Sequence, residues 1–291
     1  MNRGSPRVGD VMTKRIITSV VCLLLFIPIL VFSGMNAGYY VFISAIGLLS
    51  LIATYEICKC FDVKKELTIC IPAYLFSVTT TLLTIFFANT TKYISYVLCA
   101  GFAFVFLTFA VAMFSKGCVK YAQAASTVAT VLYAVVGFFS IIALRYSEMG
   151  SYLYLLVFIG AWATDIGAYF MGKFFGKHKL IPRVSPNKTV EGAIGGVLGC
   201  IVGYMIFGVY IEQIHSLKAN YLALAILAVC IAVISQIGDL IASYIKREQG
   251  IKDYGNLFPG HGGVMDRFDS IIAVSPIISF IITTFGVSLI N

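Results

Sequence analysis

The sequence predicts an all-α polytopic membrane protein with about nine transmembrane helices, its N-terminus cytoplasmic and its C-terminus on the opposite side. Three observations carry this. The 291 residues are 59% hydrophobic and only 12% charged, and their mean hydropathy is +0.94, far above that of a soluble domain of this length. Apolar runs of about 20 residues, the thickness of a hydrocarbon core, recur along the whole chain. Assigning the loops alternately leaves only Lys92, Arg145 and Lys218 of the 21 Lys and Arg on one side. The other side, rich in basic residues, is the cytoplasmic one.

Taken in order, the runs are roughly 16–33, 38–57, 67–88, 93–114, 122–144, 150–172, 190–211, 219–244 and 270–290. Arg3, Arg7, Lys14 and Arg15 precede the first, in a segment too short and polar for a cleaved signal peptide. The second ends on Glu56, within reach of the interface and read as structural, and Lys59, Lys64 and Lys65 follow it. Asn89–Thr91 matches a glycosylation sequon but sits tight against the third run and is read as incidental. Ser115–Lys120 separates the fourth and fifth. Of the eight cysteines, Cys22, Cys70, Cys99, Cys200 and Cys230 lie within runs. Cys58 and Cys60 have neither metal nor redox spacing, so reduced packing thiols are expected. The net charge of +8 follows from the cytoplasmic bias and favours anionic headgroups. Scattered over short loops, these basic residues do not describe a nucleic-acid surface.

The chain changes character near residue 150, which divides it into an N-terminal membrane region, 1–149, and a C-terminal catalytic membrane region, 150–291. The first is assigned scaffold, lipid-access and dimerisation roles. In the second, carboxylates enter the spans. Asp165 falls midway through the sixth run, with Trp162, Tyr169 and Gly172 on the same helical face. A carboxylate there is costly unless it meets a cation, a donor network or water. Between the sixth and seventh runs, Ser185–Gly192 reads SPNKTVEG. It predicts a helix start with Ser185 or Asn187 at the N-cap and Glu191 in the first turn. Lys188 there adds charge for an anion. Gly192, Gly195, Gly196 and Gly199 then form a small-residue packing face. In the eighth run Ser235, Asp239, Ser243 and Lys246 share a narrow stripe, which must face protein, water or an ion.

The densest polar block is Ser243–Ser270, wedged between two apolar runs: Lys246, Arg247, Lys252, Asp253, His261, Asp266, Arg267 and Asp269 with several glycines. Oxygen ligands of this kind suit hard cations, which bring phosphate and water with them. Basic side chains neutralise phosphate oxygens, and glycines let the backbone approach a ligand. No thiolate or paired-His arrangement points to zinc. The combination suggests metal-assisted phosphoryl or nucleotidyl transfer, without naming a substrate.

The pattern S-Y-I-K-R…K-D-Y-G…P-G-H-G-G-V-M-D-R-F-D strongly resembles the signature of the phosphatidate cytidylyltransferases, also called CDP-diacylglycerol synthases. Ser243, Lys246, Arg247, Lys252, Asp253, Gly255, Pro259, His261, Gly262, Gly263, Asp266, Arg267 and Asp269 all fit. The upstream SPNKTVEG, with Ser185, Asn187, Lys188, Thr189 and Glu191, and Asp165 also look like family features. The resemblance covers about the C-terminal 130 residues. It implies that CTP and phosphatidic acid react to give CDP-diacylglycerol and pyrophosphate in phospholipid biosynthesis, at a two-cation centre of Mg²⁺ and a second, monovalent ion such as K⁺. Asp239 and Asp266 are the expected principal metal ligands, with Asp165 and Asp269 as weaker candidates. Lys188, Lys246, Arg247 and Arg267 would neutralise triphosphate or lipid phosphate. His261, Gly262 and Gly263 would contact phosphate or shape the loop. The resemblance further implies a homodimer. A bacterial inner membrane, with the active site facing the cytoplasm, is the expected location. A CTP-dependent polyprenol or phytol kinase is the alternative among enzymes. A transporter using Asp165 and Asp239 as an ion path is the alternative from another class, although no internal repeat is visible.

Overall fold

A computed structural model describes residues 24, 27–33, 36–63, 67–87, 92–145, 150–215, 217–285 and 289. Among them are nine helices: α1 (Asn36–Cys60), α2 (Leu67–Phe87), α3 (Tyr93–Phe114), α4 (Tyr121–Arg145), the single turn α5 (Gly150–Leu153), α6 (Leu155–Phe175), α7 (Val190–His215), α8 (Tyr221–Glu248) and α9 (Met265–Phe285). All but α5 are long and apolar enough to cross a membrane. The chain is a polytopic integral membrane protein. Most of the expected first span, together with Lys64, Lys65 and the Asn89–Thr91 sequon, lies outside the described residues.

Three boundaries differ from expectation. The sixth span begins at Leu155, after the short α5, rather than at 150. The last begins at Met265 rather than 270, so Asp266 and Asp269 are helical residues and not loop. Residues 185–189 form a strand instead of a helix start. Lys179–Ile181 (β1) and Ser185–Thr189 (β2) pair antiparallel, Lys179 opposite Thr189 and Ile181 opposite Ser185. The physical reason is the cap. Thr189 Oγ accepts the Gly192 amide at 3.1 Å, so Thr189, not Ser185 or Asn187, closes the start of α7.

The helices form two compact units. The first contains residues 1–132 and 251–267. Within it α1, α2 and α3 pack in sequence. Ser50 and Ser77 share a hydrogen bond at 3.0 Å between α1 and α2. Phe76 stacks on Phe104 at 5.0 Å between α2 and α3, and Thr84 meets the Tyr93 hydroxyl at 2.7 Å. Only Phe104 and Thr108 of α3 are buried. Its exposed Ile94, Leu98, Phe102 and Phe106 suit a helix solvated by lipid on most sides.

The second unit contains residues 133–250 and 268–291. Its centre is the pair α6 and α7. A Cβ on Gly167 would strike the Gly195 carbonyl and the Gly199 Cα, and one on Gly196 would crowd Thr164. The small-residue face read from the sequence is therefore a backbone-to-backbone contact, whose stabilisation comes from dispersion at close range. Tyr204 Oη donates to the Leu156 carbonyl across the same interface at 2.9 Å. Gln236 of α8 donates to the Ala193 carbonyl of α7 at 3.2 Å. Ser275 of α9 donates to the Gly137 carbonyl of α4 at 2.6 Å.

Candidate active site

The second unit gathers one set of the candidate residues in a cavity of about 480 Å³. Asp165, Tyr169 and Gly172 line it from α6, as their shared helical face predicts; Trp162 does not. Asn187, Lys188 and Thr189 enter from β2, and Gln236 and Asp239 from α8. Lys188 Nζ lies 2.5 Å from Asp239 Oδ2, with both side chains a little over a quarter exposed. Ser243, one turn on, donates to Asp239 Oδ1 at 3.5 Å. The stripe on α8 thus faces protein and a cavity rather than lipid, as a carboxylate in a span requires.

Around this cavity other candidates have supporting contacts. Glu191 accepts the Lys177 amide at 3.1 Å, the His178 amide at 3.2 Å and the His178 ring Nδ1 at 2.6 Å. It ties the exit of α6 to the start of α7, where the helix dipole favours a carboxylate. Arg247 Nε reaches the Val184 carbonyl in the turn of the hairpin at 3.4 Å. Lys246 and Asp269 are buried, and Asp269 Oδ1 accepts the Ser270 amide at 2.8 Å. The charges of Asp239, Lys246 and Asp165 all act on the Asp269 carboxyl. Ser185 lies on β2 outside the lining of the cavity.

The first unit holds the other set, in the connection before α9. Lys252, Asp253, Asn256, Phe258, His261, Gly262 and Arg267 surround a second cavity of about 560 Å³. A tight turn shapes it: Phe258 donates to the Gly262 carbonyl at 2.9 Å and His261 to the Phe258 carbonyl at 2.8 Å. Gly262 has φ +86°, and a Cβ there would meet Asp266 Oδ2 at 2.8 Å, so glycine is required twice over. Asp266 Oδ2 accepts the Tyr254 amide at 2.8 Å and the Gly263 amide at 2.9 Å, which anchors that oxygen. Lys252, Asp253 and Arg267 stay exposed.

A residue outside the expected set belongs to this arrangement. Glu56 is 3% exposed rather than reaching the interface. Its Oε1 accepts the Val264 amide at 3.0 Å and its Oε2 the Met265 amide at 2.9 Å. The signal in the sequence was the rarity of an ionisable residue among the first five spans.

Among the described residues no three His, Cys, Asp or Glu side chains cluster as ligands for a metal. An all-protein cage for Ca²⁺ or Zn²⁺ is therefore not built from them. The donor set does fit Mg²⁺, which uses one or two carboxylates and takes its remaining oxygens from phosphate and water. Asp239, in a cavity beside a lysine, is a group of that kind.

The cytidylyltransferase family model matches residues 13–285. Over 272 residues the chain is 32% identical to a protein of Staphylococcus haemolyticus named phosphatidate cytidylyltransferase, covering 93% of this chain and 99% of that relative. It is 47% identical over 131 residues to a protein of Haemophilus influenzae with the same name, 45% of this chain and 46% of that one. A Bacillus subtilis protein, also so named, matches at 45% over 125 residues, 43% of this chain and 45% of the relative. Opposed acid and base in one cavity, a glycine turn beside a second, and this span of similarity agree: the chain belongs to the cytidylyltransferase family and is a nucleotidyltransferase of the membrane.

Proposed function

We propose that the protein transfers CMP from CTP to phosphatidate, giving CDP-diacylglycerol and pyrophosphate, and that the reaction depends on Mg²⁺. The observation that carries this reading is the Lys188–Asp239 pair in the α6–α7–α8 cavity. It offers phosphate an ammonium and a cation a carboxylate from adjacent positions. An oxygen of the lipid phosphate attacks the α-phosphorus of CTP in line, one P–O bond forms and the bond to pyrophosphate breaks. A phosphate monoester is largely ionised at neutral pH, so no strong base is needed. The barrier is electrostatic, because two polyanions must meet and charge grows on the leaving group.

The residues divide the work accordingly. Lys188 and Lys246 meet anionic oxygens in the second unit, and Lys252, His261 and Arg267 do so in the first. In the second unit Asp239 is assigned to a cation, with Asp165 and Asp269 as supporting carboxylates, and in the first unit Asp266 is assigned to one. When bound, Mg²⁺ would supply positive charge against the developing pyrophosphate, and a monovalent ion such as K⁺ is proposed beside it. The bias of Lys and Arg supports a site on the cytoplasmic face, with bacterial relatives supporting a plasma membrane. A homodimer belongs to the same reading and is tested by the mass of the purified protein in nanodiscs.

The decisive assay incorporates labelled CTP into chloroform-soluble lipid with purified protein, phosphatidate and Mg²⁺. Liponucleotide formation that is abolished by chelation and by Asp239→Asn or Asp266→Asn is expected. Absence of product from wild type, or unchanged rates in both variants, would sink the mechanism.

A further inference from the structure

Glu56 takes no part in the chemistry just described, yet its surroundings are built around its charge. Val264 and Met265 lie at the start of α9, where amides have no acceptor within their own helix. Glu56 accepts both, one on each oxygen. Asp266 accepts the amides of Gly263 and Tyr254. Two carboxylates thus share four backbone donors around one helix N-terminus, which compensates a burial that would otherwise be prohibitive. The loop is also carved to admit the side chain: a Cβ on Gly255 or on Gly263 would overlap the Glu56 carboxylate. These glycines make room for a specific acid.

We infer that Glu56 is a positioning residue for the cytidylyl-transfer site. By clamping the Val264 and Met265 amides it sets where α9 begins, and therefore where the Asp266 carboxylate points. The inference rests on the proposed function, in which Asp266 is a cation-binding carboxylate. It goes beyond packing, because a packing role requires only volume. Glu56→Gln keeps the volume but removes the charge and turns an NH₂ group toward one of the two amide donors. Groups that orient a metal ligand without touching the metal change affinity or activity by about 10–100-fold when altered.

The test uses the full-length protein in nanodiscs, freed of metal. Amide hydrogen exchange is followed over residues 254–268, Mn²⁺ binding is titrated by electron paramagnetic resonance, and the Mg²⁺ dependence of liponucleotide synthesis is measured. In Glu56→Gln, exchange over this segment should rise, Mn²⁺ affinity should fall about 10-fold or more, and half-activating Mg²⁺ should rise by a similar factor. Glu56→Asp, which keeps the charge at shorter reach, should recover part of the Mn²⁺ affinity. Gly255→Ala should reproduce the loss by displacing the carboxylate, and should add little to Glu56→Gln in the double variant. It also carries the test if Glu56→Gln does not assemble. Wild-type exchange and Mn²⁺ affinity in these variants overturn the inference, as does a fall in Tm with Mn²⁺ affinity unchanged. If wild type makes no liponucleotide, the proposed activity fails, and Mn²⁺ binding with exchange then decides the role of Glu56 alone. A wild-type protein that binds no Mn²⁺ overturns it.

Discussion

Glu56 and Asp266 of the first unit and Asp239 of the second are neutralised in different ways. In the first, Glu56 and Asp266 are held by backbone amides, at 2.8–3.0 Å. Those donors are fixed by the fold and do not leave. In the second, Asp239 is held by the ammonium of Lys188, on a flexible stem that reaches it from β2. On the proposed function that partner turns to an incoming phosphate and releases the carboxylate. Fixed compensation suits a scaffold that must keep one orientation, whereas exchangeable compensation suits a group that changes partners during a reaction. The comparison teaches that burial and charge alone do not describe how an acid is held in a membrane protein; whether its neutralising group is backbone or a side chain does.

The largest expected effect breaks the exchangeable side. Asp239→Asn should lower kcat/KM by about 10²-fold or more, the loss seen when a preorganised charge is removed from a site of transition-state stabilisation. Tm should change little, since the paired side chains are partly exposed. A large fall in Tm with kcat retained would assign Asp239 to the scaffold and erase the contrast. Next comes the contact that supports the second unit. Gly195→Leu places a branched side chain against Met171 and the Gly167 carbonyl. Overpacking of this kind costs about 1–3 kcal/mol, read as a fall in Tm and loss of the monodisperse species in detergent.

On the fixed side, Gly262→Ala forces a side chain into a left-handed conformation beside Asp266. A cost of about 1–3 kcal/mol is expected from the backbone. Activity should fall further than Gly250→Ala reduces it, because Gly250 also has a positive φ but open space around it. Equal effects from the two would mean that the turn, and not its contact with Asp266, matters. The smallest effect is expected at the exposed Arg183–Glu248 pair, 3.5 Å apart. Arg183→Ala should change stability by less than about 1 kcal/mol, and the change should vanish in high salt.

Much of the membrane architecture was legible because its signal is additive. Seven of the long helices lie within a few residues of apolar runs read from composition, and the fourth run, 93–114, coincides with α3. The last helix starts earlier than its apolar run, and the Met265 amide at its start is accepted by Glu56 from a distant segment. The β2 strand escaped notice for a related reason. SPNKTVEG carries a capping pattern, but Thr189 satisfies it, leaving Ser185–Lys188 free to pair with β1. The α8 stripe was legible because helical periodicity puts Asp239 beside Ser243, whichever neighbours they meet.

By itself the sequence determined that the chain is a membrane bundle, which segments cross, and which carboxylates and bases stand out from an apolar background. Those follow from local quantities: the transfer of side chains to hydrocarbon, the 3.6-residue repeat and the distribution of charge in loops. Only the tertiary structure decided that Lys188 answers Asp239, and that Glu56 answers amides 208 and 209 residues away. Pairings of that kind depend on which buried donors have no local acceptor once the helices have packed. No pattern along a single segment records it.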